Sequence, residues 1–168
     1  MHRAHVSTMS DSSNARRLPH TAASVGVGRR WVREQLTALG VGRPLLDDVE
    51  VVVSELLGNA VRHAPPIAGG ALLVTWRVSG SVVMVTVTDG GSPDQVELRG
   101  TGQLSETGRG LRIVEGLATE WGVIRQFEGQ RTVWATIAPG RGPAAGGRGR
   151  GHGSGWRLVP GRSADLTR

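Results

Sequence analysis

The stretch Asp47–Ala64, DDVEVVVSELLGNAVRHA, decides how the rest of this 168-residue chain is read. Its apolar positions Val49, Val52, Val53, Leu56, Leu57, Ala60 and Val61 recur three or four residues apart, which predicts a helix with one buried face. Glu55, Asn59 and His63 are spaced four apart and line one stripe beside that face. A carboxylate there can take a proton or orient a nucleophile. An amide oxygen can ligate a hard cation such as Mg2+, and an imidazole can meet a phosphate. An ordinary amphipathic helix with polar boundary residues accounts for the same short Glu-x-x-x-Asn pattern, so the neighbouring segments must decide.

Length and composition suit one domain with tails. With no cysteine, a disulfide scaffold and a thiolate metal site are excluded, and a cytoplasmic location is expected. No apolar run approaches the roughly 20 residues that cross a bilayer. The N-terminal MHRAHVSTMSDSSNARR lacks the apolar core of a signal peptide, so no membrane partner is expected. The net charge of +6 invites a nucleic-acid reading, yet residues 1–139 carry 14 Arg against 13 acids. The excess sits in the C-terminal tail, which argues against a basic binding face on the domain.

Residues 1–14 read as disordered, with a short edge strand from Ala15 to His20. Ala22–Leu39 predicts a helix on the stripe Val25, Trp31, Val32, Gln35, Leu36 and Leu39, closed by Gly40. Gly26 and Gly28 weaken its first turns. Arg29, Arg30 and Arg33 form a cationic face, either plain solvated charge or a grip for an acidic partner. Pro44 opens the central helix and Pro65-Pro66 ends it. Ala71–Val78 and Ser81–Thr88 are β-branched runs around a tight turn, a predicted hairpin.

Asp89 ends that second strand and opens Gly90-Gly91, where backbone can approach a flat ligand; a polar turn is the plainer reading. Asp94–Thr107 is polar and long enough for a lid. Gly108-Arg109-Gly110-Leu111 leads into a helical pattern. Glycines and N–H groups at a helix start favour phosphate, with Arg109 as an added charge. Trp121–Phe127 and Arg131–Ile137 read as a second hairpin. Residues 139–168 are Gly/Arg-rich and read as a disordered tail capable of at most weak nucleic-acid contact. Helix, helix, hairpin, lid, helix, hairpin is an α+β order: a two-layer α/β sandwich whose mixed, mostly antiparallel sheet carries its helices on one face. The folded domain is expected over residues 15–138.

Four segments in this order resemble the GHKL superfamily of ATPases shared by gyrase, histidine kinases and MutL. They are SELLGNAVRHA (54–64), VTDGGSP (87–93), TGRGLRIVEGLA (107–118) and RTVWATI (131–137). Within that superfamily the chain is most similar to bacterial anti-sigma-factor serine kinases. The resemblance implies a Bergerat-type ATP-binding fold with ATP and Mg2+ as cofactors. It implies Glu55 as the catalytic base, Asn59 as the Mg2+ ligand and His63 near the phosphates. Asp89 would read the adenine amine, with Thr132 supporting it through water. Gly91 would shape the base pocket, and Gly108, Arg109, Gly110 and Leu111 would wrap the phosphates. Pro93 stands where the family pattern has a glycine. No phosphoacceptor-His helix precedes the central motif, so a complete histidine kinase is not expected. The implied function is an ATP-dependent protein serine/threonine kinase acting in transcription regulation. It would phosphorylate an anti-anti-sigma partner and sequester a sigma factor or analogous regulator, with a homodimer in keeping with relatives. The alternative is a module that binds ATP or ADP and sequesters a partner without turnover.

Overall fold

The structure, a computed structural model, describes residues 12–91, 107–125 and 129–140, with 107–110 described by backbone alone. The expected lid, Pro93, Phe127 and the C-terminal tail from 141 onward lie outside the described residues.

The elements run β1 (Ser12–Pro19), α1 (Ala23–Ala38), α2 (Arg43–His63), β2 (Ala71–Ser79), β3 (Val82–Asp89), α3 (Thr107–Leu117), β4 (Glu120–Arg125) and β5 (Arg131–Ile137). The five strands form one sheet in the order β1-β2-β3-β5-β4. All four pairings are antiparallel, so among the described residues the sheet has no parallel member. The fold is thus the expected α+β type. The step from β3 to β5's far neighbour β4 is made through α3, which packs on α2.

Antiparallel strands alternate faces, and the burial follows. Leu72, Val74, Trp76 and Val78 of β2 join Val83, Val85 and Val87 of β3, and Ala135 and Ile137 of β5, in one core with the helices. From α2 that core takes Val49, Val52, Val53, Leu56, Leu57 and Ala60. Burying each such aliphatic side chain contributes about 1.5–3 kcal/mol. The central helix is thereby packed on the sheet by its apolar stripe, with the polar stripe beside it. Among the described residues no helix is long and apolar enough to cross a membrane.

Helix α1 ends as its sequence requires. Gly40 takes a positive φ of 77°. Val41 N–H then reaches Leu36 O at 3.1 Å and Gly40 N–H reaches Thr37 O at 2.9 Å, the paired bonds of a Schellman motif. Gly28 has a use that the sequence reading missed. A Cβ there would come within 2.5 Å of Leu57 Cδ1 and 2.9 Å of Leu18 Cδ1. Its missing side chain lets α1 settle onto α2 and β1.

Two further expectations are revised. The edge strand begins at Ser12, three residues before the expected Ala15, because its pairing with β2 continues to Ser12 opposite Val78. Arg33 does not share a free cationic face with Arg29 and Arg30. It donates to Asp47 at 3.2 Å and also pairs with Glu50, both on α2. The hydrogen bond to Asp47, then that to Glu50 and its charge, hold the Arg33 pKa above its ordinary value. Its role is to clamp α1 to α2.

Replacing Gly28 by Ala should therefore push α1 away from α2. The expected loss is about 1–3 kcal/mol of unfolding free energy, read as a lowered urea midpoint at unchanged slope. An unchanged midpoint would mean that the two leucine methyls yield without cost.

Candidate functional site

The site grows from the end of β3. The β-branched run Val82–Thr88 stops at Asp89 because Gly90-Gly91 follows, and Gly91 adopts a left-handed φ of 71°. Two backbones press on this turn. Gly90 N–H donates to Pro65 O at 2.8 Å. A Cβ on Gly90 would overlap the Pro66 carbonyl oxygen, and one on Gly91 would overlap the Gly129 carbonyl oxygen. The diproline that ends α2 thus lies against the turn that ends β3, and the β4–β5 connection lies on its other side.

Asp89 is 1% exposed, and among the described residues it is the one charged group in the buried set. Burying a carboxylate is costly unless its oxygens are hydrogen-bonded and its charge is paired. Both conditions are met. Oδ1 accepts the Gly91 N–H at 2.8 Å, an Asx-type turn. Oδ2 accepts Arg131 Nη2–H at 2.8 Å and Nε–H at 3.2 Å. Arg131 stands opposite Asp89 in the β3–β5 register, so strand pairing delivers the guanidinium to the carboxylate.

The same register places Thr132 opposite Thr88, and the two hydroxyl oxygens are 2.7 Å apart. The residue directly opposite Asp89 is Arg131. The signal was present in the sequence as a lone charged residue at the head of a β-branched run, but its partner is 42 positions away.

On α2, Glu55 and Asn59 are half-buried and His63 is exposed, so the stripe climbs out of the core turn by turn. Asn59 Oδ1 accepts Arg62 Nη2–H at 3.4 Å. That guanidinium folds back over Gly58, whose Cβ would lie 3.2 Å from it. Arg62 is a second residue missed from the sequence; its three-residue spacing from Asn59 was the available clue. Arg62 and His63 also place positive charge in the last turn of α2, where the helix dipole favours it. His20 closes that same helix end: its Nε2 lies 2.7 Å from Ala64 O and 3.3 Å from Ala60 O.

The Gly-x-Gly segment differs from the expected loop. Helix α3 already begins at Thr107, which puts Gly108, Arg109 and Gly110 in its first turn, followed by half-buried Leu111. First-turn N–H groups have no intrahelical acceptor and suit an anion. The structure thus joins Asp89, Gly91 and Arg131 directly, and ties them through Pro65 to the helix that carries Glu55 and Asn59. Helix α3 packs on α2.

This donor set fits a nucleotide with a hard cation. The buried carboxylate is an acceptor for a base amine, and the Asn59 oxygen is a ligand type that Mg2+ takes. Among the described residues no three His, Cys, Asp or Glu cluster to hold a metal by themselves.

Comparisons with known proteins bear on the fold. No curated protein matches the chain. The crystal structure of the RsbU and RsbW domains of Rv1364c from Mycobacterium tuberculosis is similar, with a TM-score of 0.57 at 22% identity. The likeness covers 76% of this chain and 32% of that one, so the chain spans about a third of that protein's length. At this identity the likeness establishes the shared fold. The profile of the histidine kinase-like ATPase domain matches residues 18–137, from Leu18 in β1 to the last residue of β5. With that match over most of its length, and a fold to agree, the chain belongs to the histidine kinase-like ATPase domain family, the GHKL type.

Proposed function

We propose that this protein is an ATP-dependent protein serine/threonine kinase of the anti-sigma-factor type. The observation that carries the reading is the buried, ionisable acceptor Asp89 at the mouth of a glycine turn. It is linked by the Gly90–Pro65 hydrogen bond to the helix bearing Glu55 and Asn59. Membership of the ATPase domain family supports ATP as the ligand.

In this reading each residue acts through a named atom. Asp89 accepts a hydrogen bond from the exocyclic amine of adenine. The backbone N–H groups of Gly108, Arg109 and Gly110 face the phosphates from the start of α3. Asn59 Oδ1 is the Mg2+ ligand; when bound, the cation neutralises charge on the transferred phosphoryl group. Glu55 accepts the proton of the attacking hydroxyl or aligns it, as positioning dominates such transfers. The hydroxyl would belong to a Ser or Thr on an anti-anti-sigma partner, with a sigma factor or similar regulator as the sequestered target. The RsbU and RsbW domains named for the similar structure are in keeping with a partner-switching role.

A second reading has its own support. Arg131 engages Asp89, and Arg62 engages Asn59. A pocket whose acceptors are both covered suits a module that sequesters a partner with little nucleotide turnover.

Calorimetry with Mg-ATP separates the cases. Saturable binding is expected in the wild type, with Asp89→Asn weakened by about tenfold or more as a charge-assisted bond is lost. Glu55→Ala is expected to keep ATP affinity while partner phosphorylation falls by about 100-fold or more, the usual size of an acid–base contribution. A Glu55→Ala protein that phosphorylates at the wild-type rate would remove the base assignment. Wild-type protein that binds ATP and its partner but leaves the partner unphosphorylated would establish the sequestering module.

A further inference from the structure

The carboxylate expected to read the base is closed to solvent. Asp89 is 1% exposed, so nothing can bond its oxygens until a neighbour moves. Of the groups that hold it, Gly91 offers a backbone N–H within a turn fixed against Gly129. Arg131 offers a long side chain that retains 11% exposure. Arg131 is also the group that fills Oδ2, with two N–H donors on that one oxygen. A carboxylate has about four acceptor directions, and with the Gly91 bond three are taken.

The other flank of Arg131 explains why it rests there. Arg125 of β4 stands opposite Arg131 in the β4–β5 register. Like charges directly across a ladder repel, so Arg131 lowers its energy by turning from Arg125 toward Asp89. The row Asp89–Arg131–Arg125 thus runs acid, base, base across three strands, and the middle member leans to the acid.

We propose that Arg131 is a gate on the purine pocket. It occupies Asp89 when no base is bound, and a base amine must displace it. Arg131 thereby sets both the affinity for adenine nucleotides and the margin by which they are preferred over purines lacking the amine. This inference rests on the proposed ATP site. Arg131 is a positioning residue, acting through the availability of Asp89. The gate depends on the register that puts Arg131, rather than a neutral residue, opposite Asp89. A guanidinium competes with an amine for the same lone pairs, and its charge-assisted bond is the stronger of the two.

The test is calorimetric titration of the full-length chain with Mg-ATP and with Mg-ITP, whose six-position carbonyl offers Asp89 no amine. Wild type, Arg131→Ala and Arg131→Gln are compared, with thermal melting of each to verify folding. Removing the gate should tighten ATP by about tenfold and leave ITP no tighter, so the ATP/ITP preference widens. A general structural effect would move both nucleotides together. If the alanine protein does not fold, Arg131→Gln carries the test, since a neutral amide holds the carboxylate less strongly. ATP affinity unchanged or weakened in the folded variants, with the wild type binding normally, overturns the gate alone. Absence of binding to either nucleotide in all three proteins overturns the ATP-site reading and the gate with it.

Discussion

The close approach of two backbones at Gly90 is the constraint on which the site depends. There is no room for a side chain between Gly90 and the Pro66 carbonyl, and Gly90 N–H is bonded to Pro65 O. The end of α2 therefore lies against the end of β3. Three elements that could act on a ligand are placed by that junction. The polar stripe of α2 is carried to it by the helix, Asp89 by the strand, and Arg131 by the strand's neighbour. His20 adds to the same junction from β1 by bonding the last carbonyls of α2. Prolines suit this position twice over: they stop the helix, and their carbonyls remain free to accept.

The pair of buried Asp89 and part-buried Arg131 carries a desolvation cost. Desolvating two charges is offset only where geometry is good and the remaining hydrogen-bonding capacity is met. Here the guanidinium gives two bonds to one oxygen and the Gly91 amide gives one to the other. Such a pair is a weak source of net stability. Removing one partner of a buried pair, by contrast, costs about 3–5 kcal/mol because the other charge is left behind. A paired carboxylate buried beside a mostly apolar core is better explained by what the carboxylate does than by what it contributes to folding.

Much of the fold was legible because its signals are local. The three- and four-residue recurrence in Val49–Val61 predicts α2, the β-branched runs predict β2 and β3, and Gly40 marks the end of α1. Asp89 and Gly91 were legible as a candidate because glycines after an acid at a strand end let backbone approach a flat ligand, although a polar turn accounts for the same residues. What was misread depends on contacts distant in sequence. Arg33 read as surface charge because Asp47 and Glu50 lie on another helix. Gly28 read as a weak point because Leu57 and Leu18, which need its space, come from α2 and β1. Arg131 went unread as the partner of Asp89 because register is invisible until the strands are paired, and a single step changes the face.

By itself, then, the sequence determined which segments are helices and strands and which face of each is apolar. Backbone dihedral preferences and hydrophobic periodicity act over a few residues. It also determined the family, through four short motifs in order, and that the acid and glycines of the candidate site exist. Only the tertiary structure decided which charge meets Asp89. The β3–β5 ladder sets Arg131 against it and Thr132 against Thr88. Pairing register is the outcome of the whole core settling at once, so no window of neighbouring residues encodes it.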